Sequence, residues 1–218
     1  MDAESTVGER IVLLALDEES GVLREPPLRV GLAVAAARLV ELARSGHVTV
    51  AGGRLVAAAR PPAEQPGDPV AAALAGQVRT HPDGPVHGWL LAVREQALSA
   101  AYEGLLTKGL VRREGRRVLK AFGTVRYPVT DPAVPAALRA ELTEVVRGDR
   151  EPGEGTATLI AVMYHARLHT VAFSGAEAGE LEARVPALTR EPEPATALGE
   201  AVRQAFAAAA VVAATAGG

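Results

Sequence analysis

The sequence predicts a mainly α-helical protein that carries two small β-hairpins, and three observations support this fold class. Aromatic residues make up only 3% of the 218 residues. About one residue in five is alanine, a composition that favours closely packed helices over thick sheets. Apolar residues recur at three- and four-residue steps in several long stretches, whereas two short runs of β-branched and aliphatic residues surround glycine turns.

The first half of the chain is predicted to contain a buried segment, a helix and a hairpin. Residues 11–16 are all apolar and end at an acidic turn. Apolar side chains at helical spacing predict an amphipathic helix over 28–45, which Gly46 ends. The stretch 48–56 predicts a hairpin because its Gly52-Gly53 pair can adopt the positive φ of a tight turn.

The second half of the chain is predicted to be helical apart from one further hairpin. Asp68-Pro69 and Asp131-Pro132 are both typical helix openings. Gly109 ends a long helix, and the turn Glu114-Gly115 follows it closely. The predicted elements are a short helix from 69, a long helix over 89–108, a hairpin over 110–122, and helices over 132–147, 156–172, 177–188 and 195–214.

We interpret the whole chain, 1–218, as a single domain whose ends, 1–10 and 215–218, are disordered tails. The N-terminus is acidic where an export signal would be basic. The longest apolar run, 205–214, is shorter than the roughly 20 residues that a membrane span needs. We therefore expect a cytoplasmic protein that can lie on a membrane surface without crossing it.

The sequence lacks the usual signatures of catalysis, so we expect neither an enzyme nor a cofactor. It has no cysteine, no Gly-x-Ser-x-Gly elbow and no phosphate-binding Walker sequence. His165 and His169 have the spacing of a metal-ligand pair, but Ala166 stands where a zincin helix has glutamate. We interpret the two histidines as polar groups beside a core helix and Trp89 as a packing residue, and we expect no metal.

A basic stretch around the second predicted hairpin is the one feature of the sequence that points to a function. The net charge is −3, yet the cations concentrate here and only Glu114 opposes them. Apolar residues are interleaved, which would suit an anionic bilayer. A solvated hairpin packed on the core, an oligomer contact and a nucleic-acid contact are the alternatives. The cations are Lys108, Arg112, Arg113, Arg116, Arg117, Lys120 and Arg126, and the apolar residues are Val111, Val118, Leu119 and Phe122.

A winged-helix regulator is the main rival hypothesis, because a helix followed by a hairpin occurs twice in this sequence. Residues 41–56 and 105–119 share one plan, in which a helix ends at glycine, enters a strand and turns at glycine. A DNA-reading helix should be basic, however, and the predicted helix over 28–45 has few cations. We therefore expect no nucleic-acid partner.

With these segments in order, the chain resembles bacterial-type members of the Golgi phosphoprotein 3 family. The resemblance covers nearly everything from 11 to 214 and depends on the order and spacing of short motifs. These motifs are IVLLAL at 11–16, LVELA at 39–43 with Gly46, PGD at 66–68, LTKGLV at 106–111, YPVTD at 127–131, and LIAVMYHA at 159–166 with Ala172-Phe173.

The resemblance implies a fold and a function. The implied fold is a helical core ringed by amphipathic helices, with a projecting hairpin used for membrane contact and self-association. The implied function is non-enzymatic, namely peripheral binding to membranes through the phosphatidylinositol 4-phosphate head group. The predicted partners are thus an anionic membrane lipid and a second copy of the chain, bound through 110–122. The predicted lipid-contacting residues are Arg112, Arg113, Arg116, Arg117, Lys120 and Phe122.

The head-group pocket of the family does not map directly onto this sequence. The family uses a tryptophan before the first long helix, an arginine inside that helix, and two arginines in the helix before the hairpin. An ungapped placement finds Pro26, Ala35, Glu95 and Leu98 at those positions. A head-group pocket here would have to use neighbouring cations, for which Arg29, Arg38 and Arg94 are the candidates.

Overall fold

Six α-helices and one small antiparallel sheet make up the part of the chain that a computed structural model describes, namely residues 5–51, 54–58, 69–80, 84–115 and 125–173 with 179–180, 183–184 and 204. The mainly α-helical prediction is confirmed. The helices are α1 (Val7–Ala15), α2 (Pro27–Arg44), α3 (Pro69–Thr80), α4 (Val86–Thr107), α5 (Ala133–Arg147) and α6 (Glu154–His165), and the strands are β1 (Val48–Ala51), β2 (Arg54–Ala57) and β3 (Gly84–Pro85).

Helix α2 lies at the centre of the helical core. Every residue from 30 to 39 is buried, and α1, α4 and α6 all pack against this helix. Its alanines allow these neighbours to approach closely. Gly31 marks the tightest crossing, since a Cβ atom there would lie 3.0 Å from the carbonyl oxygen of Arg94 on α4. A helix buried on all sides in this way cannot enter a DNA groove while the fold is intact, which counts against the winged-helix hypothesis.

Helix α1 begins earlier than the sequence pattern indicated. A capping box starts it: Thr6 Oγ1 accepts a hydrogen bond from Glu9 N at 3.3 Å, and Glu9 Oε2 accepts one from Thr6 N at 2.8 Å. The prediction of a disordered tail over 1–10 is therefore wrong for 7–10, while residues 1–4 lie outside the described part. The apolar segment over 11–16 forms the buried end of this helix and the extended residue that follows it.

The first predicted hairpin is confirmed and gains a third strand. Strands β1 and β2 pair antiparallel from Val48↔Ala57 to Ala51↔Arg54, and β2 also pairs with β3. The sequence gives no signal for β3, because a two-residue strand that includes a proline shows no alternation to detect. The helix predicted from 69 is confirmed as α3, and the predicted long helix is confirmed as α4, three residues earlier at its start.

Helix α6 ends at His165, not at 172 as predicted. Arg167 adopts a left-handed conformation with φ 54°, and the amide of Leu168 donates to Met163 O at 2.8 Å. This closure buries Leu168 completely, so burial of an apolar residue compensates for the strain at a non-glycine position. A short 3-10 helix, His169–Val171, follows.

The C-terminal predictions are largely untested. Residues 179–180, 183–184 and 204 are helical, in agreement with the helices predicted over 177–188 and 195–214 at those positions. The remainder of these two predicted helices, and the predicted tail at 215–218, lie outside the described residues. Helix α5 follows Asp131-Pro132 and ends at Gly148 as the sequence indicated.

Candidate membrane-contact hairpin

The chain leaves α4 through a well-defined helix ending. Gly109 has φ 67°, the amide of Gly109 donates to Leu106 O at 3.0 Å, and the amide of Leu110 donates to Leu105 O at 2.9 Å. This is the hydrogen-bond pattern of a Schellman motif, in which glycine takes the left-handed position. The chain thus turns out of α4 at Gly109, where the second hairpin begins.

The second hairpin differs in register from the one predicted. A tight turn at Glu114-Gly115 was expected, with a return strand over 117–122. Instead Val111 pairs with Val129 and Glu114 pairs with Arg126. We call these paired segments, 110–115 and 125–130, the stem. Residues 116–124 connect its two arms and lie outside the described part, so the predicted contacts Arg116, Arg117, Lys120 and Phe122 cannot be placed.

Repulsion between like charges disfavours the predicted register. A tight turn at 114–115 would have set Arg112 and Arg113 against Arg116 and Arg117, and like charges directly across a strand pair are destabilising. In the observed stem Glu114 stands opposite Arg126, with hydrogen bonds of 2.9 Å in both directions between their backbones. The Arg112 side chain also pairs with Glu114, at 2.8 Å.

The return arm of the stem, 125–130, forms backbone hydrogen bonds with the turn that follows α1, residues 17–21. The amide of Tyr127 donates to Gly21 O at 2.9 Å, and the amide of Val129 donates to Glu18 O at 3.0 Å. Gly21 has φ 65°, and a Cβ atom there would overlap the backbone of Pro128. Backbone hydrogen bonds therefore join the turn to the stem, and no side chain fits at position 21.

An aromatic stack joins the same arm to α4. The rings of Tyr102 and Tyr127 lie 4.1 Å apart at an interplanar angle of 20°. Burial, and secondarily the neighbouring Tyr127, raise the pKa of Tyr102 far above its ordinary value. The phenol of Tyr102 thus stays neutral, and the pair acts as an apolar contact.

The predicted basic stretch separates into two groups in the structure. Arg112, Arg113 and Arg126 are exposed on the stem, and neither Arg113 nor Arg126 forms an ion pair with any residue in the described ranges. Lys108 differs: its Nζ lies 2.5 Å from the carboxylate of Glu9, a residue only 4% exposed. Lys108 therefore belongs to the core side of the hairpin and not to its exposed cationic surface.

The three candidate head-group arginines do not converge. Each pairs with a carboxylate on or beside its own helix: Arg29 with Glu25 at 2.6 Å, Arg38 with Glu41 at 2.9 Å and Arg94 with Glu95 at 2.9 Å.

The helix geometry explains why a shared pocket cannot form. Arg29 and Arg38 are nine residues apart on α2, which places them on opposite faces and about 13.5 Å apart along the axis. Of the residues at the family's pocket positions, Ala35 is completely buried and Pro26 and Glu95 are exposed. Cavities of about 370 and 430 Å³ are lined by other residues. The described residues thus contain no cationic head-group pocket at these positions.

The structure separates the two histidines and places Trp89 against the core. His165 is the last residue of α6, whereas His169 begins the 3-10 helix beyond a turn, so the two do not share a helical face. Within the described ranges, no three histidine or carboxylate side chains are grouped to hold a metal ion. Trp89 is partly buried and packs against the core, as predicted.

Sequence reasoning missed three residues near the stem: Tyr102 stacks on Tyr127, Glu9 pairs with Lys108, and Gly104 lies against Glu9. The pattern Thr6-x-x-Glu9 is a visible capping-box signal, but the second role of Glu9 as a partner of Lys108 has no local signal. Gly104 and Tyr102 sit in a helix whose pattern does not distinguish them from neighbouring positions.

Among the described residues, no helix combines the length and apolar character that crossing a bilayer would require.

Comparison with known proteins extends the resemblance from motifs to the chain as a whole. The family model described as Golgi phosphoprotein 3 (GPP34) matches residues 7–209. No individual curated protein matches at a significant level. The match covers every element described above, including both hairpins and the central helix. The chain belongs to the Golgi phosphoprotein 3 family.

Proposed function

We propose that this protein is a non-enzymatic peripheral membrane module, an adaptor of the Golgi phosphoprotein 3 type, that docks on anionic lipid through its second hairpin. The observation that carries the proposal is the pair of exposed arginines, Arg113 and Arg126, that stand without ion pairs among the described residues on a stem fixed to the core. Family membership supports the proposal independently.

The stem supplies the two properties that surface docking needs. Arg113 and Arg126 face solvent, so they can meet a negatively charged surface without losing an ion-pair partner among the described residues. Each basic residue near an anionic membrane contributes about 1 kcal/mol. The stem also leads directly into Arg116, Arg117, Lys120, Leu119 and Phe122, which add charge and apolar side chains by sequence.

We further propose that the protein recognises anionic surface charge in general and not one phosphoinositide. Arg29 and Arg38 lie on opposite faces of α2, and Arg94 is engaged by Glu95 and by the carbonyl of Leu91. A single head group cannot bridge the first two. Vesicles matched in total charge should therefore bind equally well whether they contain phosphatidylinositol 4-phosphate or phosphatidylserine.

Vesicle flotation with two matched variants tests this function. Arg112/Arg113/Arg116/Arg117→Gln removes four cations from the hairpin. Arg54/Arg79/Arg147/Arg150→Gln removes four cations from other parts of the surface and serves as the control. We expect the first variant to lose at least about a hundredfold in partitioning at low salt, and the control to change by less than about threefold.

Equal recovery of the two variants would overturn the proposal. The oligomeric state of each variant should be measured in parallel by light scattering, because the predicted self-association would use the same hairpin. Preference for phosphatidylinositol 4-phosphate at matched charge would refute the general-charge proposal and would point to a pocket not formed by Arg29, Arg38 and Arg94.

A further inference from the structure

We propose that Glu9, Gly104 and Lys108 form a lock that sets how the second hairpin leaves the helical core. In this arrangement Lys108 supports membrane docking by positioning the hairpin, and it does not itself contact lipid. This last clause rests on the proposed membrane function, whereas the lock itself can be tested without any membrane.

The lock is built around a buried carboxylate. Glu9 is 4% exposed, and its Oε2 accepts hydrogen bonds from Thr6 N at 2.8 Å and from Lys108 Nζ at 2.5 Å. A carboxylate this deeply buried is costly unless a cation and hydrogen bonds compensate its charge. Lys108 is the only cation that the described residues place against Glu9, so the buried carboxylate depends on Lys108 for charge compensation.

Gly104 provides the space that the carboxylate occupies. A Cβ atom at this position would overlap Oε1 of Glu9 and would also approach Cδ to 3.0 Å. The carboxylate is the end of a flexible side chain, but here Thr6 and Lys108 hold it in place. Any larger residue at 104 must therefore displace the carboxylate from its two partners.

The position of Lys108 makes the ion pair relevant to the hairpin. Lys108 caps α4 and immediately precedes Gly109, where the chain turns out toward the stem. The first stem bridge, Val111↔Val129, follows three residues later. An ion pair at Lys108 thus holds the outgoing arm of the stem at its root.

Helix α1 is consequently linked to the roots of both arms, once through Lys108 and once through the turn that follows the helix. Glu9, near its N-terminus, holds the outgoing arm through Lys108. The turn after its C-terminus holds the return arm through Glu18 and Gly21, whose carbonyls accept from Val129 and Tyr127. Because α1 also packs along the central helix α2, it connects the orientation of the hairpin to the core.

A double-mutant comparison tests the lock in the absence of lipid. Alanine is normally favoured over glycine inside a helix. If the lock exists, Gly104→Ala lowers the urea midpoint of the wild-type chain. In a Glu9→Ala/Lys108→Met background, which removes both charges together, the same substitution raises the midpoint. A rise of the urea midpoint in both backgrounds would overturn the lock. The doubly substituted background keeps the test valid even if Gly104→Ala alone unfolds the wild-type chain.

Hydrogen exchange distinguishes local loosening of the stem from general destabilisation of the fold. We expect the hydrogen-bonded amides of the stem to exchange at least tenfold faster in Gly104→Ala, while the amides at 33–39 of α2 keep their protection. These stem amides are those of Leu110, Arg112, Glu114, Arg126, Tyr127, Val129 and Thr130. Uniform acceleration across α2 and the stem would show that Gly104 serves general packing, and would overturn a positioning role.

Vesicle binding distinguishes two possible roles of Lys108, namely positioning the hairpin and contacting lipid directly. Lys108→Gln should weaken partitioning but leave its dependence on salt unchanged, whereas Arg113→Gln should reduce that dependence because a lipid-facing charge is lost. A reduced salt dependence in Lys108→Gln would refute the positional role. If the wild-type protein fails to bind anionic vesicles at all, the membrane function fails, while the urea and exchange experiments still decide on the lock.

Discussion

The two hairpins of this protein follow the same sequence plan and reach different structures. Each follows a helix that ends at a glycine with positive φ, Gly46 at 72° and Gly109 at 67°. The first hairpin then forms four consecutive residue pairs across Gly52-Gly53. In the described part of the second hairpin the pairing consists of two isolated bridges, Val111↔Val129 and Glu114↔Arg126, and not of a continuous ladder.

The elements that support the two hairpins explain the difference. The first is continued by β3 and contacted by α3, so sheet hydrogen bonds dominate its support. The second depends on the turn over 17–21, the Tyr102–Tyr127 stack and the Glu9–Lys108 pair. The glycines at the ends of α2 and α4 therefore mark where the two hairpins begin, while distant elements decide the register and the exposed surface of the second.

The largest expected effect concerns the glycines on which the second hairpin depends. Gly21→Ala combines a left-handed backbone with overlap against Pro128, so we expect a loss of at least about 3 kcal/mol in the free energy of unfolding. Gly109→Ala, where a Cβ atom meets nothing within 4 Å, should lose only about 1 kcal/mol for its backbone conformation. Urea denaturation of the two variants measures both values, and equal losses would show that the turn does not hold the stem.

The next effect isolates the aromatic contact of the second hairpin. Tyr102→Leu and Tyr127→Leu, combined in a double-mutant cycle, should give a coupling energy of about 0.5–1.5 kcal/mol, because the stacked pair contributes beyond the area it buries. The same two variants should leave the amide protection of the first hairpin unchanged. A coupling energy near zero would mean that the stack is incidental to the stem.

Single arginines from the two hairpins should differ in membrane affinity. Arg113→Gln should weaken binding to anionic vesicles by roughly fivefold, since one cation near the surface contributes about 1 kcal/mol. Arg54→Gln, an exposed cation of the first hairpin, should leave binding unchanged. Tryptophan fluorescence titration with vesicles can measure both, and a loss of equal size in Arg54→Gln would remove the distinction between the hairpins.

The smallest effect is a pH dependence confined to the turn that holds the stem. The backbone and then the side chain of Ser20 donate to Asp17, which lowers the pKa of that carboxyl below its ordinary value. The contribution of Asp17 to the stability of the turn is complete above the ordinary aspartate pKa. It is lost as the pH falls through the lowered pKa of Asp17.

Amide exchange at Tyr127 and Val129 follows this transition. After correction for the intrinsic pH dependence of exchange, their protection should fall in acid in the wild-type chain but not in Asp17→Asn, whose protection should already be low at neutral pH. The β1–β2 amides provide the internal control. Identical acid profiles in the two chains would show that Asp17 does not stabilise this turn.

Local patterns were sufficient to predict most helices and the first hairpin. Helical spacing located α2 and α4, and Gly52-Gly53 located the tight turn. The separation of Arg29 and Arg38 onto opposite faces also follows from nine-residue spacing alone, so the sequence already argued against a pocket made from these residues.

The remaining features depend on contacts distant in sequence. Glu9 and Lys108 are 99 residues apart, and Arg139 reaches Glu18 across 121 residues, at 2.5 Å. The end of α6 depends on burial of Leu168, and the register of the stem depends on which residues the turn over 17–21 can bond. None of these partners is visible in a local window, which is why the basic stretch was predicted as one cationic surface.

The most direct test of the account uses the absence of cysteine from the chain, because one introduced cysteine then carries one label. An environment-sensitive fluorophore is attached at Arg126→Cys in the second hairpin or at Arg54→Cys in the first, and vesicles containing phosphatidylserine and a lipid-borne quencher are added. Docking through the second hairpin predicts a blue shift and strong quenching at 126 and neither at 54. Equal quenching at both sites, or quenching at 54 alone, would contradict it.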